Sequence, residues 1–296
     1  MFRLTPLLIV FLITYFTKAQ VINQEIELPE ETPFLLGKID KTGLSSGNYN
    51  EWFYENYDNY DVDKSIITEL TPHLNDFNIL LFMGTWCGDS KREVPRFYKI
   101  LEACNFPMEQ LQVIAVSNKP YMYKQSPNHD EAGLNIHRVP TFIFYKDQKE
   151  VNRIVEHPVN SLEQDMLDIV NSNGYVSNYH IVSVVDAILI NDGLNGLKNK
   201  RFELVEQFEQ KVTSMFELNT YGRILYNGNR NDAAIEVFRL NTLLFPYEPR
   251  VYMSLANTLG VSGYVKESIE VIDIAIEHFP DNEDLIENRE ALLTKL

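Results

Sequence analysis

The run Ile79-Leu-Leu-Phe-Met-Gly-Thr-Trp-Cys-Gly-Asp-Ser-Lys-Arg-Glu-Val-Pro95 changes character halfway along. Ile79 to Met83 are all apolar and are stopped by Gly84, as expected of a short strand buried on both faces. Trp86 and Cys87 follow, and then Gly88-Asp89-Ser90, where a helix begins. Asp89 and Ser90 suit a first helical turn, because their side chains accept from backbone N–H groups that lack intrahelical partners. Cys87 is therefore expected at a helix N-terminus. Free N–H groups and the helix dipole favour an anion there, and a thiol so placed becomes a usable nucleophile. Lys91 and Arg92 add positive charge one turn on, and Asp89 removes some. The same pattern also suits a half-buried structural cysteine after a core strand.

Outward from this run, the chain reads as alternating elements. Asn50 to Leu70 carries Trp52, Phe53, Tyr57, Tyr60, Ile66, Ile67 and Leu70 at helical recurrence, a packing surface that Pro72 closes. Glu93 to Cys104 continues the helix after Cys87 with Val94, Phe97, Tyr98, Ile100 and Leu101 on one face and Pro95 inside it. Leu111 to Val116 is a second buried strand, followed by a polar excursion, Ser117 to Ile136. Val139 to Tyr145 and Val151 to Glu156 are two more strands, joined as a hairpin through Lys146–Lys149. Ser161 to Val170 is an amphipathic helix ended by Asn173-Gly174. This order gives a small α/β sandwich around a mixed sheet. Residues 20–34, polar and holding Pro29 and Pro33, read as an extended lead-in.

Those residues carry a resemblance to the thioredoxin-fold family. Trp86-Cys87-Gly88-x-x with Lys91 after it, and Pro95 five residues past the fourth motif position, match the family pattern; Val139-Pro140-Thr141 is similar to its cis-proline segment. The resemblance spans residues 35–172. It implies thiol–disulfide exchange through Cys87, with Ser90 hydrogen-bonding the thiolate, Trp86 covering one side, and Val139, Pro140 and Thr141 shaping the substrate site. Gly88, Asp89 and Lys91 support the motif. The chain departs from the family twice: the usual resolving cysteine is Ser90, and the buried acid many members place six residues before the first cysteine is Leu81. A monothiol protein is implied, forming mixed disulfides with thiol- or disulfide-bearing proteins or a small thiol.

Cys104 is no substitute for the missing partner. Seventeen residues of helix put it roughly 25 Å from Cys87, whereas a disulfide needs Cα atoms within about 7 Å. Cys104 reads as a small buried hydrophobe.

The second half is helical. Pro246 and Pro280 lie 34 residues apart, the tetratricopeptide period. In that register Leu218, Tyr221, Gly222, Ala234, Phe238 and Pro246 recur as Tyr252, Leu255, Ala256, Ser268, Ile272 and Pro280, with Ala275 a further small residue of the second repeat. This resembles two tetratricopeptide repeats, 215–248 and 249–282, with a terminal helix to residue 296, preceded by capping or linking helices at 177–214 that Gly193 and Gly196 break. Such arrays bind peptides or proteins, so a partner-binding surface is implied. The alternative from a different class is a non-enzymatic interaction protein with an idle Cys87.

Residues 1–19 read as a signal peptide: Arg3, an apolar run from Leu7, then Thr17-Lys18-Ala19 before Gln20. Export is expected, to a periplasm first and the extracellular space second. With 42 acidic and 26 basic residues the net charge is −16, and no basic run exists to hold phosphates, which argues against nucleic acid. The six histidines show no metal-ligand spacing, no cofactor fingerprint occurs, and no later segment is apolar over the length a membrane span needs. His137, three residues before Pro140, reads as a surface residue that also has the option of reaching Cys87.

Overall fold

In the computed structural model, which describes residues 21–296, the apolar run is strand β3 (Asn78–Met83), and it lies inside a six-stranded sheet. The other strands are β1 (Gln24–Ile26), β2 (Phe34–Ile39), β4 (Leu111–Ala115), β5 (Thr141–Lys146) and β6 (Lys149–Val155), in the spatial order β1-β2-β4-β3-β5-β6. Only β3 and β4 run parallel, with Leu81 opposite Val113 and Met83 opposite Ala115; every other pairing is antiparallel. A parallel pair needs a crossover, and α4 (Gly88–Ala103) supplies it. The β5–β6 hairpin turns through Asp147 and Gln148, both at positive φ. Four strands were expected. The other two lie in and just after the lead-in: Gln24–Ile26 pairs with Phe34–Ile39, and Gly37 to Ile39 pair with β4.

Alternation along β3 divides the sheet's faces. Ile79, Leu81 and Met83 join a core with residues of α2 (Asn50–Asp58), α3 (Lys64–Leu74), α4 and α5 (Leu162–Val170), while a four-residue helix, α1 (Lys41–Leu44), packs its Leu44 at the edge. Phe82 points the other way, into a smaller cluster with Ile114, Val116, Ile143, Val139 and the last residue of the excursion, Ile136. The aromatic cluster is packing: Phe53 stacks on Tyr57 and tilts against Tyr98, and Trp52, Tyr57 and Tyr60 lean on the same core. Pro72 does not close α3, which runs on to Leu74; lacking an N–H, it leaves the Thr68 carbonyl without its intrahelical donor. Pro95 lies inside α4, buried. Ser161 caps α5, accepting from the Gln164 N–H at 3.2 Å.

The C-terminal region is all helix and has its own core. It comprises α6 (His180–Asn191), α7 (Gly193–Phe208), α8 (Phe216–Asn227), α9 (Asn231–Leu244), α10 (Pro249–Val261), α11 (Val265–His278) and α12 (Glu283–Leu293). Gly193 opens α7 at φ +68, but Gly196 lies within the helix and does not break it. Small residues are required where helices of a pair touch: a Cβ on Gly222 of α8 would lie 2.5 Å from the Phe238 ring of α9. Ser268 of α11 is buried and donates to the Ala256 carbonyl of α10 at 2.7 Å. Among the described residues no helix is long and apolar enough to cross a membrane. The expected signal peptide, residues 1–19, lies outside the described residues.

Candidate functional site around Cys87

Topology brings three chain segments to one sheet edge. Because β3 and β4 are parallel, both finish there; β5 runs the other way and starts there. Cys87 follows β3, the excursion leaves from β4, and Val139-Pro140 leads into β5. Gly84 makes the first turn possible, since a Cβ at that position would sit 2.4 Å from the Trp86 ring. The Trp86 indole then donates to the Val116 carbonyl at 2.8 Å, tying the motif to the end of β4. Thr85 is buried and accepts from the Leu35 N–H at 3.0 Å, which ties it to β2.

Cys87 is the N-cap residue of α4, in extended conformation, and partly exposed. Its thiol donates to the Val139 carbonyl oxygen at 3.1 Å, and the Val139–Pro140 peptide bond is cis. The sulfur therefore faces the segment before Pro140, and Trp86 and Cys87 both pack against the small cluster holding Val139. Thr141 is buried and donates to the Arg138 carbonyl at 2.7 Å, and the Pro140 carbonyl accepts from Glu156 N–H at 2.7 Å. The side chain of Thr141 thus shapes the loop from within. Gly88 has open space where a Cβ would stand.

Three expectations about the motif need correction. Ser90 does not bond the sulfur: it is fully buried, and its hydroxyl accepts from the Gly84 N–H at 3.2 Å, where it closes the strand-to-helix turn. Nor does Asp89 cap the helix; its carboxylate accepts from Arg92 at 2.8 Å, and Arg92 also bonds the buried Glu93 at 2.6 Å. Lys91 leans over the Trp52 ring of α2, 6.0 Å from its centroid. The charges within the motif are spent on one another or on packing.

The charges that do gather at the sulfur come from elsewhere. Lys124 of the excursion is buried, its ammonium 5.3 Å from the centroids of both Trp86 and Tyr123. Burial pushes it down to about 8, and Arg138, Glu156, Arg223 and the Cys87 sulfur lie around it. Arg223, from α8, stacks on Tyr123 at 4.0 Å. Arg138 pairs with Glu156 at 3.1 Å, lies over Tyr179, and donates to the Phe216 carbonyl of α8 at 3.2 Å. Glu156 also accepts from the Tyr179 hydroxyl. None of these residues carries a local motif. Lys124 and Arg223 are separated by 99 positions, and only the docking of the helical region joins them.

His137 is neither at the surface nor on the sulfur. It is buried edge-on to Tyr179 and Tyr221, with Nδ1 at 3.1 Å from the Asn135 carbonyl and Nε2 without a partner. Burial holds it down to about 3. Beside it, a cavity of about 350 Å3 separates the excursion, with Lys124, Glu131 and Asn135, from α6 and α8, with Asp186, Tyr221 and Leu225. Cys87 does not line that cavity. Cys104 ends α4, buried and unpaired, its thiol pushed up by burial. The two cysteines thus stand at opposite caps of one helix. Among the described residues no group of three or more His, Cys, Asp and Glu side chains converges as metal ligands would.

Compared with family models, curated proteins and solved structures, the chain matches none of them.

Proposed function

We propose that the protein is an exported monothiol thiol–disulfide exchange protein of thioredoxin-like fold, acting through Cys87. The observation that carries this reading is the partly exposed Cys87 at the α4 N-terminus, bonded at 3.1 Å to the carbonyl before a cis proline. A helix N-terminus favours the sulfur anion, which forms by giving up the bond to the Val139 carbonyl, and the partly exposed sulfur is reachable by a disulfide. Cys87 thiolate attacks one sulfur of a disulfide, the S–S bond breaks, and the other sulfur leaves with the electron pair. With Ser90 inside the turn and Cys104 at the far end of α4, nothing in the chain resolves the mixed disulfide. An external thiol does so. Such a protein isomerises or deglutathionylates; it does not run a self-contained dithiol cycle.

The helical region supports a second element of the proposal. Helix α11 begins 34 residues after α9, at Val265 against Asn231, and the paired helices resemble tetratricopeptide repeats, which present protein- or peptide-binding surfaces. A non-enzymatic scaffold with an idle Cys87 is the competing reading. Acid-quenched purification followed by mass spectrometry separates them. The exchange reading expects partners or small thiols linked to Cys87 and absent from Cys87→Ala; a Cys87 that is free in cells and inert to disulfides in vitro refutes it.

A further inference from the structure

Lys124 presents a physical problem in the folded chain. It is 6% exposed, yet its ammonium makes no hydrogen bond or ion pair among the described residues. On a side chain this buried the ammonium loses much of its hydration, and two aromatic faces compensate only in part. Arg223, exposed and stacked on Tyr123, likewise has no carboxylate within ion-pair distance among the described residues. The acids nearby are already engaged: Glu156 by Arg138 and Tyr179, Glu131 by Ser126, and Asp186 by Tyr221. Two positive charges without an ion-pair partner among the described residues therefore stand near the Cys87 sulfur, on a chain whose net charge is −16. The motif's own ions cancel within α4, so this positive spot is set by the excursion and α8.

We infer that the Cys87 site takes small disulfides carrying a carboxylate near the reacting sulfur, with Lys124 and Arg223 supplying the positive charge that this acid meets. The inference rests on the exchange reading and adds the substrate class. Without such a local field an acidic protein repels anionic substrates; with it they are drawn toward the reactive sulfur. The step balances as ordinary exchange: the Cys87–sulfur bond forms, the substrate S–S bond breaks, and the departing sulfur takes the electron pair and then a proton from water. The retained half leaves its carboxylate between Lys124 and Arg223. Arg223 belongs to α8, so the helical region completes the substrate site.

Three dialkyl disulfides of similar chemistry test this: dithiodipropionate, a dianion; hydroxyethyl disulfide, neutral; and cystamine, a dication. Their rates with the full chain are each divided by the rate with mercaptoethanol, which removes intrinsic reactivity. The normalised anion-to-cation ratio is expected at about tenfold or more in low salt, falling severalfold as salt shortens the Debye length. Arg223→Glu, on an exposed side chain, and Lys124→Met each lower the ratio at least about threefold; Lys295→Glu, the same charge change at a remote position, leaves it unaltered. In the wild type the ratio declines as pH rises through about 8, where Lys124 loses its proton among Tyr123, Cys87, Arg138, Glu156 and Arg223. A normalised ratio near one, or one that survives Arg223→Glu, overturns the inference while exchange itself stands. Failure of Cys87 to react with all three overturns both.

Discussion

His137 makes the junction between the sheet and the helical region sensitive to acid. Its ring is buried between the segment leading to Pro140 and the tyrosines Tyr179 and Tyr221, and Nδ1 donates to the Asn135 carbonyl in the neutral form. Protonating Nε2 would put a charge where there is no acceptor, beside Arg138, Arg153 and Lys124. The folded imidazole titrates near about 3, against about 6.5 in an unfolded chain. Between those values the unfolded state holds the proton and the folded state does not. This contribution to stability is therefore complete above about pH 6.5 and is lost as pH falls toward 3. From pH 7 to pH 5.5 the two titrations predict a loss of about 1.3 kcal/mol from this residue. The assay is urea unfolding of the full chain and of His137→Phe at both pH values. All other titrating groups are shared, so the wild type should lose about 1.3 kcal/mol more than the variant over that interval. Equal losses in the two proteins would refute the burial argument, because an imidazole that reaches water gains its proton in the folded state too.

Further outcomes follow from single contacts. Gly222→Ala sets a methyl 2.5 Å from the Phe238 ring, and overpacking of this kind costs about 1–3 kcal/mol, read as a lower urea midpoint at unchanged slope. Ser90→Ala strands the buried Gly84 N–H, which now donates to the hydroxyl at 3.2 Å; the expected cost is about 1–3 kcal/mol, and an unchanged midpoint would show that another acceptor takes its place. Ser90→Cys places a second thiol one helical turn from Cys87, so mixed disulfides on Cys87 should resolve without added thiol, measured as a shortened adduct lifetime by mass spectrometry. Alkylation in the folded state should mark Cys87 at least about tenfold faster than Cys104, which is buried with its thiol pushed up; comparable rates would mean that α4 opens at its C-terminal end.

How much of this was legible depended on whether the signal was local. Strand β3, helix α4 and the hairpin β5–β6 announce themselves in apolar runs and turn residues only a few positions long. The 34-residue recurrence likewise exposes the helix pairs, because Gly222 and Ser268 must be small where their neighbours touch. Strands β1 and β2 escaped the same reading. Pro29 and Pro33 dominate that segment, and its strand character comes from pairing with β4, some 75 residues away. Ser90 looked like a ligand for the sulfur because sequence gives spacing and leaves side-chain direction open; the turn at Gly84 took the hydroxyl inward.

By itself, then, the sequence determined where Cys87 would stand: after a buried strand and at the start of a helix. Those are consequences of backbone hydrogen bonding and side-chain periodicity, which act over a few residues. What surrounds that cysteine was decided only by tertiary structure. Lys124, Arg138, His137 and Arg223 are ordinary polar residues in the sequence. They come together because the excursion folds over the end of the sheet where β3 and β4 finish and α8 packs against it, which buries Lys124 and His137 and leaves Arg223 exposed. Desolvation and charge proximity depend on distance in space, and no local pattern encodes them.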